Sequence, residues 1–150
     1  MGWWQRFLEW LRKLWGRKAA AATVGCIDLS TLVDPLSTPL SLTGTNGGTA
    51  DFTTSNNRVR TANGNTGLDC DRKLDIKWTQ PASQLTFKLL HTAQPARMEA
   101  FDSGGALVGS GVQAPPQHVV STVTVPAPGS VRATILSPAD EVVLIEFCAT

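Results

Sequence analysis

The sequence has no tyrosine and holds only two histidines, three cysteines and two methionines among its 150 residues. Catalysis needs grouped titratable or nucleophilic side chains, but His91 and His118 stand alone and no GxSxG elbow occurs among the serines. The cysteines and histidines show neither CxxC nor HxxxH spacing, which argues against a zinc site. We therefore expect a protein that is not an enzyme and that needs no cofactor.

Long apolar runs and a basic stripe are also missing. No stretch is long and apolar enough for a transmembrane span, and no unbroken apolar segment of a secretory signal peptide is present. Of 13 basic and 12 acidic residues, residues 1–18 hold five basic and one acidic, so residues 19–150 hold eight basic and eleven acidic. The absence of a basic stripe in the larger part argues against nucleic acid as a partner.

Residues 1–18 instead concentrate four of the five tryptophans. Their apolar side chains recur at helical spacing within an arc of roughly 160°, which predicts an amphipathic helix. We call these side chains the apolar face: Trp3, Trp4, Phe7, Leu8, Trp10, Leu11, Leu14 and Trp15. We call the basic residues the basic rim, of which only Lys18 falls among the apolar positions: Arg6, Arg12, Lys13, Arg17 and Lys18.

Tryptophan suits a boundary between water and an apolar phase, because its indole combines an apolar body with one N–H donor. Sixteen helical residues span only about 24 Å, against about 30 Å for the hydrocarbon core of a bilayer. The helix is therefore expected to lie flat on an anionic membrane surface. The alternatives are packing against its own domain, against sister subunits in a homo-oligomer, or in a partner's groove. A peripheral membrane or extracellular location is favoured, although the compartment is not fixed.

The composition changes after this helix. Residues 19–25 are predicted to be a linker, and residues 26–150 are rich in Thr, Ser, Val, Gly, Pro and Asn with frequent turn signals. This pattern predicts an antiparallel, jelly-roll-like β-sandwich of about nine or ten strands. Trp78 is predicted to lie in its core, and the segment from Val142 to Cys148 is predicted to be a central strand because it is apolar on both faces apart from Glu146.

Turn residues set the predicted strand boundaries. The first strand is predicted over residues 27–33, and residues 63–67 are predicted to form a glycine and asparagine loop. Residues 74–78 and 85–89 are predicted as separate strands, as are residues 118–125 and 130–136. Asp102-Ser-Gly-Gly105 is predicted to be the turn of a hairpin.

The cysteines and a cluster of aspartates each allow more than one interpretation. Cys26 and Cys148 sit at the two ends of the domain, so an exported protein would form a bridge between them, or between Cys26 and Cys70. Buried free thiols are the alternative. Asp69, Asp71 and Asp75 are candidate oxygen ligands for a structural Ca²⁺, or members of a solvated loop, because their spacing matches no calcium loop.

Two segments carry a resemblance to a known family. The runs RMEAFDSGGALVGSG and VVSTVTVPAPGSVRATILSPADEVVLIEFC resemble the C-terminal half of bacterial jelly-roll modules of the galactose-binding-like type. The likeness covers residues 25–150 and is strongest from residue 84 onward. It implies a β-sandwich that binds sugars or mediates contacts. The domain has one tryptophan and no tyrosine, so it is poor in the aromatic platforms that such sugar sites use.

These observations predict a non-enzymatic structural or binding protein whose helix docks a β-sandwich onto a membrane surface or drives self-assembly. One alternative is a pore-forming protein, because an N-terminal amphipathic helix on a β-sandwich is similar in architecture to the actinoporins. The aromatic lipid-headgroup cluster of those toxins is missing from this domain. A second alternative is a carbohydrate-binding module.

Overall fold

The computed structural model describes residues 2–17, 22–139 and 141–150. Within that part the protein is mainly β, with one helix and ten strands, and the sequence prediction of a β-sandwich with an N-terminal helix is confirmed. The elements are α1 (Trp3–Arg17), β1 (Gly25–Asp28), β2 (Leu40–Thr43), β3 (Thr49–Thr53), β4 (Val59–Ala62), β5 (Asn65–Asp69), β6 (Lys73–His91), β7 (Arg97–Asp102), β8 (Leu107–Val112), β9 (Ser121–Leu136) and β10 (Val142–Ala149).

Two long strands, β6 and β9, run through both layers of the sandwich. The first part of β6, residues 73–77, pairs with the second part of β9, and the layer continues to β7 and β8 on one side and to β3 and β2 on the other. The second part of β6, residues 85–91, pairs with β10 and with the first part of β9. Beyond β10, this layer continues to β1, β5 and β4.

The continuity of β6 and β9 differs from the sequence prediction, which divided each into two strands. The register of their pairing shifts between Lys77 and Gln84, the region that contains Pro81. On β9 the same region contains Pro126, Pro128 and Gly129, and Gly129 has a φ of 77°. Proline lacks an N–H donor and interrupts the ladder, so the chain bends from one layer into the other without reversing direction.

Two further boundaries were predicted wrongly. The first strand ends at Asp28, because Asp28 Oδ1 accepts hydrogen bonds from Ser30 N at 2.9 Å and Ser30 Oγ at 2.6 Å, which turns the chain. The predicted loop at residues 63–67 is only a two-residue turn at Asn63 and Gly64, both with positive φ. Asn65 already pairs with Ala62, so β4 and β5 form a hairpin.

Strand β10 is central, as predicted. It pairs with β6 along one side and with β5 and β1 along the other. The buried Phe147 ring on β10 lies 5.5 Å from the Trp78 ring, 5.5 Å from the Phe87 ring and 6.0 Å from the Phe52 ring. Trp78 is buried, as predicted, and its Nε1 donates a hydrogen bond to the backbone oxygen of Ser130 at 2.9 Å.

We predict that Phe147→Ala lowers the free energy of unfolding by about 3 to 5 kcal/mol, because it removes a buried ring and leaves a cavity among three aromatic side chains. Urea unfolding followed by far-UV circular dichroism measures the change. The control is Val33→Ala, at a position that is 77% exposed, for which we expect a change within about 0.5 kcal/mol. Equal effects of the two substitutions would contradict the assignment of Phe147 to the core.

Candidate functional site

The first half of α1 exposes the apolar face to solvent. The exposed fraction is 76% for Trp3, 61% for Trp4 and 57% for Trp10, and Phe7 and Leu8 are also exposed. Leu11 is half-buried. The described residues of the sandwich therefore leave these indoles uncovered.

The exposed aromatic rings form a continuous surface. The Phe7 ring lies at its centre, 5.9 Å from the Trp3 ring, 5.8 Å from the Trp4 ring and 6.1 Å from the Trp10 ring. Residues three and four apart are neighbours on a helix, which explains why these four side chains stack. The result is a single aromatic patch and not a set of isolated side chains.

The other side of α1 is polar. Gln5, Arg6, Glu9 and Arg12 are exposed. The side chains of Lys13, Leu14, Trp15 and Arg17, and the whole of Lys18, lie outside the described part of the structure, as do residues 19–21 of the predicted linker. Among the described residues, no helix has the length and apolar character needed to cross a bilayer.

Residues 23–28, which include the last three positions of the predicted linker, are held to the sandwich. The backbone oxygens of Thr23, Val24 and Cys26 accept hydrogen bonds from Gly48 N, Asn46 N and Thr45 N at 3.0 to 3.1 Å. A Cβ at Gly48 would lie 2.6 Å from the oxygens of Ala22 and Thr23, so only glycine permits this approach. The loop at residues 44–48 therefore holds the chain where it enters the domain.

A disulfide joins Cys26 on β1 to Cys148 on β10, across 122 positions of sequence. The two residues are register partners. Only the pair formed by Gly25 and Ala149 lies between them and the point where β1 begins and β10 ends. Their neighbours Ile27 and Phe147 point into the core, so the bridge lies on the outer face of the sheet. The bond therefore joins β1 to β10 near the end at which the chain enters the domain.

The third cysteine does not take part in this bridge. Cys70 is a free thiol and is fully buried, and burial together with the nearby Asp69 carboxylate raises the pKa of its thiol. The thiol stays protonated and inert at neutral pH, because the thiolate is the reactive form. The alternative pairing of Cys26 with Cys70 is absent.

Sequence reasoning did not place Glu146 beside the disulfide. Its Oε1 lies 3.6 Å from Cys148 Sγ, and both side chains project from the outer face of β10. Side chains two apart on a strand point to the same face, so the spacing of Glu146 and Cys148 carried this information. The outer face of β1 and β10 thus holds two sulfurs and a carboxylate.

The three candidate calcium ligands are engaged elsewhere. Asp69 is buried, and its Oδ2 pairs with Arg58 Nε at 2.8 Å, while Asp71 accepts a hydrogen bond from Ser55 Oγ. Asp75 Oδ1 pairs with Arg132 Nε at 2.7 Å. These carboxylates do not converge on a common point among the described residues.

A backbone hydrogen bond joins the two histidines, from His118 N to the oxygen of His91 at 2.8 Å. His91 is buried at the end of β6, and neither of its ring nitrogens has a hydrogen-bond partner among the described residues. His118 is exposed with a φ of 64°.

One segment at the edge of the sandwich carries no charged side chain. No Lys, Arg, Asp or Glu occurs between Asp102 and Arg132, a stretch that includes β8 and the first part of β9. β8 is an edge strand, and Gly109 and Gly111 let it pack closely over Val125 and Pro126 of β9. Leu107, Val112 and Val119 are exposed in this segment. Edge strands are usually protected by charges, so this segment is open to contact with another molecule.

Neither a protein-family model nor a curated protein matches this chain. Its fold specifies no activity, because β-sandwiches serve many unrelated functions.

We predict that replacing both bridged cysteines by serine lowers the free energy of unfolding by about 2 to 5 kcal/mol, because the bond closes a long loop in the unfolded chain. Urea unfolding of the double variant Cys26→Ser with Cys148→Ser measures this loss. A phosphine reductant should destabilise the wild type by a similar amount and leave the double variant unchanged. Wild-type stability in the double variant would show that the bond does not support the fold.

Proposed function

We propose that this protein is a non-enzymatic β-sandwich that docks on an anionic membrane surface through α1. The proposal is supported by the exposed and continuous aromatic patch of Trp3, Trp4, Phe7 and Trp10. Water-exposed patches of this kind usually mark a binding surface. The indoles are suited to the headgroup region, where the ring contacts acyl chains and the N–H contacts water or lipid oxygens.

The apolar contribution to docking is substantial. Full burial of one large apolar side chain contributes about 1.5 to 3 kcal/mol, so the exposed side chains of α1 offer a gross term on the order of 10 kcal/mol. Interfacial insertion buries only part of each side chain. The remainder still exceeds what one or two isolated apolar residues supply, which supports stable docking of the whole domain.

Charge favours an anionic surface. Residues 1–18 hold five basic side chains and one acidic, whereas the rest of the chain has more acidic residues than basic. Each basic residue near an anionic membrane contributes about 1 kcal/mol, and this attraction falls off within a Debye length. The sandwich itself should therefore stay off the bilayer while α1 lies in the interface.

Self-assembly is the second candidate, and the uncharged segment that includes β8 favours it. β8 is an edge strand with exposed Leu107 and Val112, and unprotected edges pair readily with strands of another molecule. Light scattering of the intact protein without lipid distinguishes the two functions. A monomer in buffer that binds vesicles supports docking, whereas a stable oligomer that ignores vesicles supports self-assembly.

We predict that Trp10→Glu abolishes binding to vesicles made of equal parts phosphatidylcholine and phosphatidylserine, because it places a charge in the aromatic patch. Vesicle co-sedimentation measures the bound fraction, and the blue shift of indole emission reports insertion. The matched control is Gln5→Glu, which makes the same change in charge on the polar side of the helix and should retain most binding. Equal losses in the two variants would mean that charge alone governs the interaction.

We predict that Arg12→Ala weakens vesicle binding about fivefold at low salt, the equivalent of about 1 kcal/mol. The difference from wild type should shrink as salt is raised, because the Debye length falls to about 3 Å at 1 M. The same variant should show little change on pure phosphatidylcholine vesicles. A salt-independent loss would indicate that Arg12 acts through packing and not through attraction to anionic lipid.

Dye release from the same vesicles separates docking from pore formation. Surface docking predicts bound protein with no release, because α1 spans only about 22 Å when helical from Trp3 to Arg17. Release that rises with bound protein would favour the pore-forming alternative. Binding of the intact protein to a glycan array would favour the carbohydrate-binding alternative, which the family resemblance suggested.

A further inference from the structure

The outer face of β1 and β10 brings together three potential metal ligands. Cys26 Sγ, Cys148 Sγ and a carboxylate oxygen of Glu146 all lie within 4.8 Å of one another. Within residues 2–17, 22–139 and 141–150, no other three Cys, His, Asp or Glu side chains meet in this way. The two sulfurs are joined in the oxidised protein, so they are free to bind metal only after reduction.

We propose that the reduced protein binds one Zn²⁺ through Cys26, Cys148 and Glu146, with water as the fourth ligand. A low-molecular-weight thiol supplies the two electrons that break the S–S bond, and two reductant thiols become a disulfide while two cysteine thiols form. Zn²⁺ then displaces both thiol protons to solvent and binds the two thiolates. Two thiolates and a carboxylate suit Zn²⁺, whereas Ca²⁺ and Mg²⁺ prefer oxygen ligands alone.

The positions of the ligands fit a tetrahedral zinc. Zn–S and Zn–O bonds of about 2.3 and 2.0 Å place a sulfur and an oxygen about 3.5 Å apart. Glu146 Oε1 is already 3.6 Å from Cys148 Sγ. The two sulfurs need to separate to about 3.8 Å, which is a movement that two unbonded thiols make by side-chain rotation.

The cysteines stay opposite one another without their bond. The pairs of Gly25 with Ala149 and Ile27 with Phe147 flank them in the ladder, and Ile27 and Phe147 are buried in the core. Cys26 and Glu146 are only partly buried, which gives a metal ion access from solvent.

The neighbouring charges are compatible with the ion. Lys88, the register partner of Glu146 on β6, offsets part of the negative charge of two thiolates and a carboxylate. Asp28, the partner of Glu146 on β1, accepts hydrogen bonds from Ser30 N and Ser30 Oγ. The metal would hold β1 to β10 where reduction has removed the covalent bond.

Zn²⁺ and Co²⁺ titrations of the intact protein, before and after reduction with a phosphine, test this site. We expect one metal ion for each reduced chain, thiolate-to-Co²⁺ charge-transfer absorption, and no binding to the oxidised chain. Glu146→Gln should weaken binding at least about tenfold, as should Cys26→Ser, which keeps Cys148 and the buried Cys70. The control Glu99→Gln, on the other layer and beside Arg97, should bind as wild type does.

Far-UV circular dichroism recorded during the titration shows whether the metal-bound chain has the native β structure. A folded complex with the expected stoichiometry and loss in Glu146→Gln supports the site. No binding after reduction, equal affinity in Glu146→Gln and wild type, or binding by a chain that stays unfolded would each overturn the proposal.

Discussion

The structure depends on the burial of β10 on both sides and along both edges. Its inward side chains meet aromatic residues of β3 and β6 at Phe147, and its two edges pair with β6 and with β1 and β5. A strand in this position loses both its backbone pairing and its core contacts if the sandwich opens. The disulfide therefore ties the chain that follows the helix to the least removable strand of the domain.

The helix α1 is exposed where β10 is buried. Its apolar side chains meet the usual requirement for a core-facing helix, but the described sandwich offers them no cover. Tryptophan adds polar N–H groups to this surface, which a protein core would have to satisfy and a headgroup region satisfies at once. A surface rich in tryptophan therefore suits a boundary between water and an apolar phase better than a dry core.

Much of the fold could be predicted from the sequence, because the signals were local. The helical spacing of residues 3–15, the hairpin turn at Asp102-Ser-Gly-Gly105 and the apolar β10 each gave an element within a residue or two of its observed bounds. The ends of strands were predicted less well at residues 81 and 126–129. Proline and glycine occur there, and both residue types mark a bend within a strand as readily as a turn that reverses the chain. The strand β5 was missed because Asn65 and Gly67 resemble loop residues, although Gly67 is required for close packing on Leu144.

The candidate site could be predicted from the sequence only where its residues lie on a single helix or strand. All apolar face residues lie on one helix, so periodicity grouped them without knowledge of the fold. The choice between Cys148 and Cys70 as the partner of Cys26 depends on the register of β1 against β10, which is a long-range property that local patterns do not encode.

The position of the disulfide connects these two parts of the molecule. The chain that follows the helix enters β1 at Gly25, and an antiparallel pair of strands opens most readily at an end, one ladder pair after another. Cys26 and Cys148 form the second pair from that end, so opening stops after Gly25 leaves Ala149. A bond placed at Asp28 would leave most of the strand free to peel. The cross-link therefore closes the end of β1 that lies nearest the helix as well as the sandwich, and the Glu146 carboxylate lies beside it.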